Sequence, residues 1–136
     1  MTIKEADQFL ALVSLAYPSA YKNMGAEIAQ ATTNMWQNTF REIPYIVMEL
    51  ALERYRRKSK FAPSVAEIIE ELKSMYYIAY VDASAAKVSG DEELLRKSLW
   101  LMEHTSPRRF EEEAPIRYSL ITKEMLCLPE GGDQYG

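Results

Sequence analysis

Apolar residues recur along most of the chain at the three- and four-residue steps of an amphipathic helix. The first such stripe covers residues 2–17 and stops at Tyr17, because Pro18 disfavours helical geometry at the residue before it. Residues 18–25 are therefore predicted to form a turn. A second helix follows with the clearest period in the chain, formed by Ile28, Ala31, Thr32, Met35, Trp36, Thr39, Phe40 and Ile43.

Start signals predict the next two helices. Pro44 suits the first position of a third helix, where its missing N–H would have no partner anyway. Ser64 followed by Glu67 is a capping box that opens a fourth helix. No breaker occurs before Gly90, so the fourth helix is predicted to run to Val88, a length of about 37 Å.

The second half of the chain continues in helical periods. Ser89 and Glu92 predict another capping box, before a fifth helix that ends near Pro107. A sixth, short helix is predicted over residues 116–128, and no alternating run predicts a strand. The sequence thus predicts an all-α fold of about five to six helices: a small bundle over residues 1–73, a helical extension over 74–128 that the long fourth helix leads into, and a flexible tail over 129–136.

Composition removes most catalytic devices. The 136 residues, 48% of them hydrophobic, are enough for a buried core but leave little room for a two-domain enzyme. With one cysteine, Cys127, and one histidine, His104, the chain cannot build a disulfide framework, a zinc finger or a His-based triad. Gly25 and Gly90 stand alone, so no glycine-rich phosphate loop is present. We predict no enzyme, no cofactor and no metal, and we interpret as a solvated helix face the carboxylates of Glu67, Glu70 and Glu71.

The sequence also bears on location. No apolar run approaches the roughly 20 residues that span a bilayer, and the first residues lack the layout of a secretory signal. A single thiol is compatible with a reducing compartment. The predicted location is the cytoplasm, with no membrane partner.

Three short stretches occur in a distinctive order. They are Leu-Val-Ser-Leu-Ala-Tyr-Pro at residues 12–18, Trp36 in the middle of the second helix, and Ser-Lys-Phe-Ala-Pro-Ser at residues 59–64 followed by Val-Ala-Glu-Ile. Together they resemble the phage replicative-helicase loader/inhibitor family over the residues up to about Leu72. Ala62 stands where a second proline is common in that family. Each stretch also has a structural reason, since Tyr-Pro ends a helix, Trp36 fills a small core and Pro-Ser turns the chain into a cap.

The resemblance implies a small helical N-terminal domain without enzymatic activity and an adaptor role in phage DNA replication. Members of the family engage the hexameric replicative helicase, hold it inactive and deliver it to an origin-bound replisome organiser. The C-terminal part contacts the helicase in the family and is poorly ordered there. This chain differs, because residues 74–128 are apolar enough to predict ordered helices.

The residues predicted to bind a partner form two groups. A terminal apolar face consists of Leu120, Ile121, Met125, Leu126 and Leu128. A basic group, suited to an acidic partner surface and also to helix capping, consists of Arg54, Arg56, Arg57, Lys58 and Lys60.

Two other functions stay open at this stage. The basic group could bind DNA phosphates, although a net charge of -4 argues against bulk attraction to nucleic acid, so direct nucleic-acid binding is not favoured. Small acidic helical phage proteins also inhibit host nucleases or defence enzymes, and this is the second alternative.

The helical extension carries four aromatic residues, Tyr76, Tyr77, Tyr80 and Trp100. We give equal weight to two interpretations of them, a contact surface and a local second core. A homodimer through Met75, Tyr76 and Tyr80 of the fourth helix is a further hypothesis.

Overall fold

The structure is a computed structural model that describes residues 1–107. Five α-helices occupy these residues: α1 (Ile3–Ala16), α2 (Ala26–Thr39), α3 (Tyr45–Arg56), α4 (Val65–Ser89) and α5 (Glu92–Thr105). No strand occurs within residues 1–107, so the predicted all-α fold with a long fourth helix is confirmed. The predicted sixth helix, the tail and Cys127 lie outside the described residues.

The chain divides into two compact units, with the boundary between Glu71 and Leu72 in α4. In the first unit, an aromatic row fills the core. The Trp36 ring lies 5.4 Å from the Phe9 ring and 5.5 Å from the Phe40 ring, and Trp36 is only 2% exposed. The prediction that Trp36 is a core residue is confirmed.

The predicted apolar face of α2 is wrong in part. Ile28 and Met35 lie on the predicted stripe, yet they are 62% and 51% exposed. The inward-facing residues of α2 are Thr33 and Trp36, and the Trp36 ring packs between Phe9 and Phe40. The buried Thr33 hydroxyl is satisfied, since it donates a hydrogen bond to Asp7 at 2.9 Å.

Helix starts were predicted with mixed success. The capping box of α4 is confirmed: the Ser64 N–H donates to Glu67 Oε1 at 2.8 Å, and the Glu67 N–H donates to Ser64 Oγ at 3.2 Å. The start of α3 was predicted one residue too early, since Pro44 is the N-cap residue and α3 begins at Tyr45.

The second predicted capping box is wrong. Ser89 is the last residue of α4, and Gly90 follows with a φ of +81°, a left-handed conformation that glycine adopts without strain. The N-cap of α5 is Asp91, whose carboxylate accepts a hydrogen bond from the Leu94 N–H at 3.1 Å. An aspartate directly before the helix is an equally good cap and lies beyond the glycine that ends α4.

The second unit has its own core. Tyr76, Ala79 and Ala83 of α4 pack with Met102 of α5, and four partly buried residues surround them, namely Tyr80, Leu95, Leu99 and Leu101. The local second core is therefore present, and it contains two of the four aromatic residues in question. The other two remain at the surface, since Tyr77 is 49% and Trp100 is 44% exposed.

His104 lies in the last turn of α5, where its Nδ1 is 2.9 Å from the Trp100 carbonyl oxygen and its ring stacks on the Trp100 ring. Every helix within residues 1–107 is too short or too polar to cross a membrane.

Candidate partner-binding surface at the end of α3

The loop between α3 and α4 is fixed by hydrogen bonds to its neighbours. The Tyr17 hydroxyl, at the end of α1, donates to the Ser59 carbonyl oxygen at 2.8 Å. Burial raises the pKa of this hydroxyl above its ordinary value, so it stays protonated as a donor. The Tyr55 hydroxyl donates to Glu67 Oε1 at 3.3 Å, and the Tyr17 and Tyr55 rings meet edge to face. The Tyr-Pro and Phe-x-Pro-Ser stretches of the sequence thus meet at one end of the first unit.

Glu71 ties α4 to the basic end of α3. Its carboxylate oxygens lie 3.1 Å from Arg54 Nε and 2.7 Å from Lys58 Nζ, and the residue is only 4% exposed. The interpretation of this carboxylate as part of a solvated face is wrong. A buried carboxylate needs paired charges and hydrogen bonds, which the two cations supply. Glu71 lies three residues after the buried Ile68 and four before the buried Met75, so helical spacing places it on the inward face. The sequence interpretation followed the charge of Glu71 and not this spacing.

The remaining basic residues lie at the surface. Arg56 Nη1 is 3.3 Å and Arg57 Nε is 3.8 Å from the carboxylate of Glu53 on the same helix, and the two arginine side chains are 50% and 74% exposed. Exposed pairs of this kind contribute little to stability and are screened by salt. Lys60 is also exposed. Arg56, Arg57 and Lys60 are therefore the cations that can reach a partner without giving up a buried carboxylate.

Phe61 is an aromatic side chain exposed beside these cations. It is 72% exposed although its backbone is held, since the Phe61 N–H donates to Ser59 Oγ at 3.2 Å and the nearby Pro63 is buried. Sequence reasoning treated Phe61 only as part of a turn and missed its exposure. The available signal was its position outside any helical period, between Lys60 and a proline turn.

A groove between α1 and α3 continues this surface. It has a volume of about 310 Å³, and Leu15 on its wall is 78% exposed. Its lining combines four aliphatic residues with three charged ones, and consists of Leu12, Leu15, Ala16, Glu49, Leu52, Glu53 and Arg56. We call the α3 surface the combination of this groove with Arg57, Lys60 and Phe61. A partly aliphatic groove, an exposed aromatic ring and three exposed cations are features suited to a protein partner, because aromatic and aliphatic anchors bury large apolar areas.

The residues of the α3 surface are suited to contact with another molecule. No group of three histidine, cysteine or acidic residues that could hold a metal ion occurs within residues 1–107. Arg54 and Lys58, two of the predicted partner-binding residues, are paired with Glu71. Arg56, Arg57 and Lys60 are exposed. The predicted terminal face, Leu120, Ile121, Met125, Leu126 and Leu128, lies outside the described residues.

The capping carboxylate predicts a pH dependence. Hydrogen bonds from the Ser64 backbone, then from the Ser64 and Tyr55 hydroxyls, hold the pKa of Glu67 below its ordinary value of 4.5, despite partial desolvation. A pKa lowered by folding adds stability above the unfolded value, and this stability is lost as the pH falls through the folded value. We expect Glu67→Gln to make the urea midpoint less dependent on pH below about 4.5. Gln30→Ala, an exposed change in α2 that removes no titratable group, should leave the wild-type pH dependence unaltered. Equal pH profiles for wild type and Glu67→Gln would contradict the assignment.

Comparison with known proteins identifies the first unit. Residues 1–69 match the family model for the N-terminal domain of the helicase loader/inhibitor of phage SPP1. No curated protein and no solved structure matches the chain. The match spans half of the sequence and covers the Tyr17–Ser59 contact, the Trp36 core and the α3 surface up to Phe61. The chain therefore belongs to the phage helicase loader family of which this N-terminal domain is the marker.

Proposed function

We propose that the protein is a noncatalytic adaptor that binds a hexameric replicative helicase, inhibits it, loads it at the replication origin, or does both, through protein–protein contacts. The observation that carries this proposal is family membership over residues 1–69. The α3 surface supports it, because its aliphatic groove, exposed ring and cations are the elements of a contact surface. An origin-bound replisome organiser is the proposed second partner, and the cytoplasm of the host cell is the proposed location.

The two predicted groups of partner-binding residues have different proposed roles. Arg56, Arg57 and Lys60 attract an acidic surface of the helicase and raise the rate of association. Arg54 and Lys58 act indirectly, since their pairing with Glu71 holds the end of α3 against the start of α4. The terminal apolar face, Leu120, Ile121, Met125, Leu126 and Leu128, provides further contact area.

Deletion of residues 116–136 tests the contribution of the terminal face. We expect affinity for the helicase, measured in the presence of nucleotide, to fall at least about tenfold, because the deletion removes all five apolar contact residues. The far-ultraviolet circular dichroism of residues 1–107 should persist. Removal of residues 129–136 alone is the matched control and should preserve binding. Unchanged affinity after the longer deletion would place the whole binding site elsewhere.

DNA binding through the basic group is the alternative that the exposure of Arg57 favours. In that case, affinity for DNA would fall steeply with salt and with charge reversal at Arg56 and Arg57. If the protein instead inhibits a host nuclease or defence enzyme, the α3 surface would bind that enzyme in place of the helicase. Capture from host lysate with the wild-type chain and with Phe61→Ala distinguishes these targets, because the adaptor function requires helicase among the proteins lost with the variant.

A further inference from the structure

The groove between α1 and α3 has one acidic end and one basic end. Glu49 and Arg56 both line it, and they lie seven residues apart in α3, which is about 10 Å along the helix axis. Leu52, another lining residue, lies between them in the helix. On the α1 side, Leu15 adds an aliphatic side chain that is 78% exposed. A molecule lying along the groove therefore meets a negative charge at one end, a positive charge at the other, and aliphatic side chains.

The carboxylate at the acidic end has no ion pair in the described part of the chain. Glu49 is half-buried, and none of the cations of residues 1–107 pairs with it. By contrast, the carboxylate of Glu53, one turn further along α3, is 3.3 Å from Arg56 Nη1 and 3.8 Å from Arg57 Nε. Attraction between partly buried charges is only weakly screened by salt. The acidic end is thus suited to a cation that a partner supplies.

The basic end carries more positive charge than its own carboxylate balances. Arg56 and Arg57 share Glu53, and their side chains are 50% and 74% exposed. Lys60 is exposed shortly after the end of the helix. A carboxylate of a partner therefore finds a complementary charge here. The two ends of the groove select opposite charges on one partner.

We propose that a helix of the replicative helicase occupies this groove and runs antiparallel to α3, with acidic residues in its first turn beside Arg56 and Arg57 and basic residues in its last turn beside Glu49. Its identity as part of the helicase rests on the adaptor function proposed above. Helices favour acidic residues in the first turn and basic residues in the last turn, because these charges complement the helix dipole. Only the antiparallel direction brings that order of charges against the opposite charges of the groove. Leucine or methionine side chains between the two turns pack against Leu15.

Other occupants suit the groove less well. No strand within residues 1–107 offers an edge that a partner strand could join, whereas a groove between two helices accepts a third helix through side-chain packing. A nucleic-acid backbone is negative throughout, so Glu49 would repel it. The hypothesis of a homodimer through Met75, Tyr76 and Tyr80 is corrected, because the first two are buried and the third packs against the core of the second unit.

Helicase affinities of charge variants test the acidic end. We expect Glu49→Lys to lower the affinity of the full chain for the helicase, measured with nucleotide present, at least about tenfold, because attraction becomes like-charge repulsion. Glu49→Gln, which removes the charge at nearly constant size, should lower it less. Glu27→Lys makes the same change of charge at an exposed residue of α2 and should bind like the wild type.

The outcomes of this experiment separate the groove from the adaptor function. Wild-type affinity of Glu49→Lys would overturn the groove assignment and leave the adaptor function standing. Equal losses in Glu49→Lys and Glu27→Lys would also overturn it, since net charge alone would then matter. A wild-type chain that does not bind helicase at all would overturn the adaptor function, and the helicase helix with it.

Disulfide linking of synthetic peptides tests the direction. Each peptide has about twelve residues and blocked termini, with glutamates in the first turn, leucines in the middle and lysines in the last turn. One carries a cysteine after its last turn and the other before its first turn. In a Cys127→Ser chain, Ile46→Cys places an exposed thiol one turn before Glu49. Under mild oxidation it should link to the first peptide and not to the second.

Three results of the linking experiment would overturn the proposal. Linking to neither peptide, or to both equally, would remove the antiparallel helix from the groove. Linking that occurs only after deletion of residues 116–136 would assign the groove to the chain's own C-terminal residues. A chain that sediments as a dimer which the peptide dissociates would assign it to a second copy.

Discussion

Replacing Phe61 with alanine should weaken binding of the chain to the replicative helicase at least about tenfold, or about 1.4 kcal/mol. An aromatic ring that is 72% exposed on a fixed loop loses little conformational entropy on binding and buries a large area. Such anchors dominate interface energies, and truncation of one commonly costs about 2 kcal/mol or more. The affinity is measured by titrating the helicase hexamer with labelled chain in the presence of nucleotide.

The stability of the Phe61→Ala variant distinguishes contact from folding. Because the ring packs little within the first unit, the free energy of unfolding should change by less than about 0.5 kcal/mol. Trp100→Ala is the matched control, since it removes an exposed aromatic ring from the second unit and should leave helicase affinity unchanged. Wild-type affinity of Phe61→Ala would remove Phe61 from the proposed contact, and equal losses in both variants would show that any exposed aromatic residue matters.

Replacing Trp36 with alanine should cost about 3–5 kcal/mol of stability, the range for loss of a buried aromatic side chain. The ring is 2% exposed and contacts both Phe9 and Phe40, so its removal leaves a cavity that these rings cannot fill without shifting. For a domain of this size, such a loss is a large fraction of the total free energy of unfolding. Urea denaturation followed by circular dichroism measures it.

The residue next to Trp36 provides the control for this prediction. Met35→Ala removes a side chain of comparable length from the same helix, but one that is 51% exposed. We expect a change within about 0.5 kcal/mol, as for other surface substitutions. Similar costs for Met35→Ala and Trp36→Ala would mean that α2 presents its sequence-predicted stripe to the core instead of the face seen in the structure.

Helix positions were predictable because the chain marks its helix ends locally. The proline after Tyr17, the capping box of Ser64 and Glu67, and the isolated Gly90 each act within a few residues. Their effect can therefore be deduced without knowing what the helices contact. The failed capping box at Ser89 had an equally good cap two residues later in Asp91. Local signals of similar strength cannot be ranked from the sequence alone.

The faces of the helices were harder to predict, since they depend on partners far away in the chain. In α2, the apolar period ran through Met35 as well as Trp36, and only packing against Phe9 determined which one is buried. Glu71 has the composition of a solvated helix position and becomes buried because Arg54 and Lys58 meet it from α3. The candidate surface followed the same pattern: its cations were visible in the sequence, whereas the groove beside them requires α1 and α3 to be adjacent.

Sedimentation velocity of the full chain mixed with a hexameric replicative helicase, from the phage or its host, tests helicase binding most directly. With nucleotide present, labelled wild-type chain should move with the hexamer, and Phe61→Ala should move mostly at the rate of the free protein. The unwinding rate of the helicase in the same mixture reports whether binding inhibits it. Sedimentation of the wild-type chain as free protein at every helicase concentration would contradict the adaptor function.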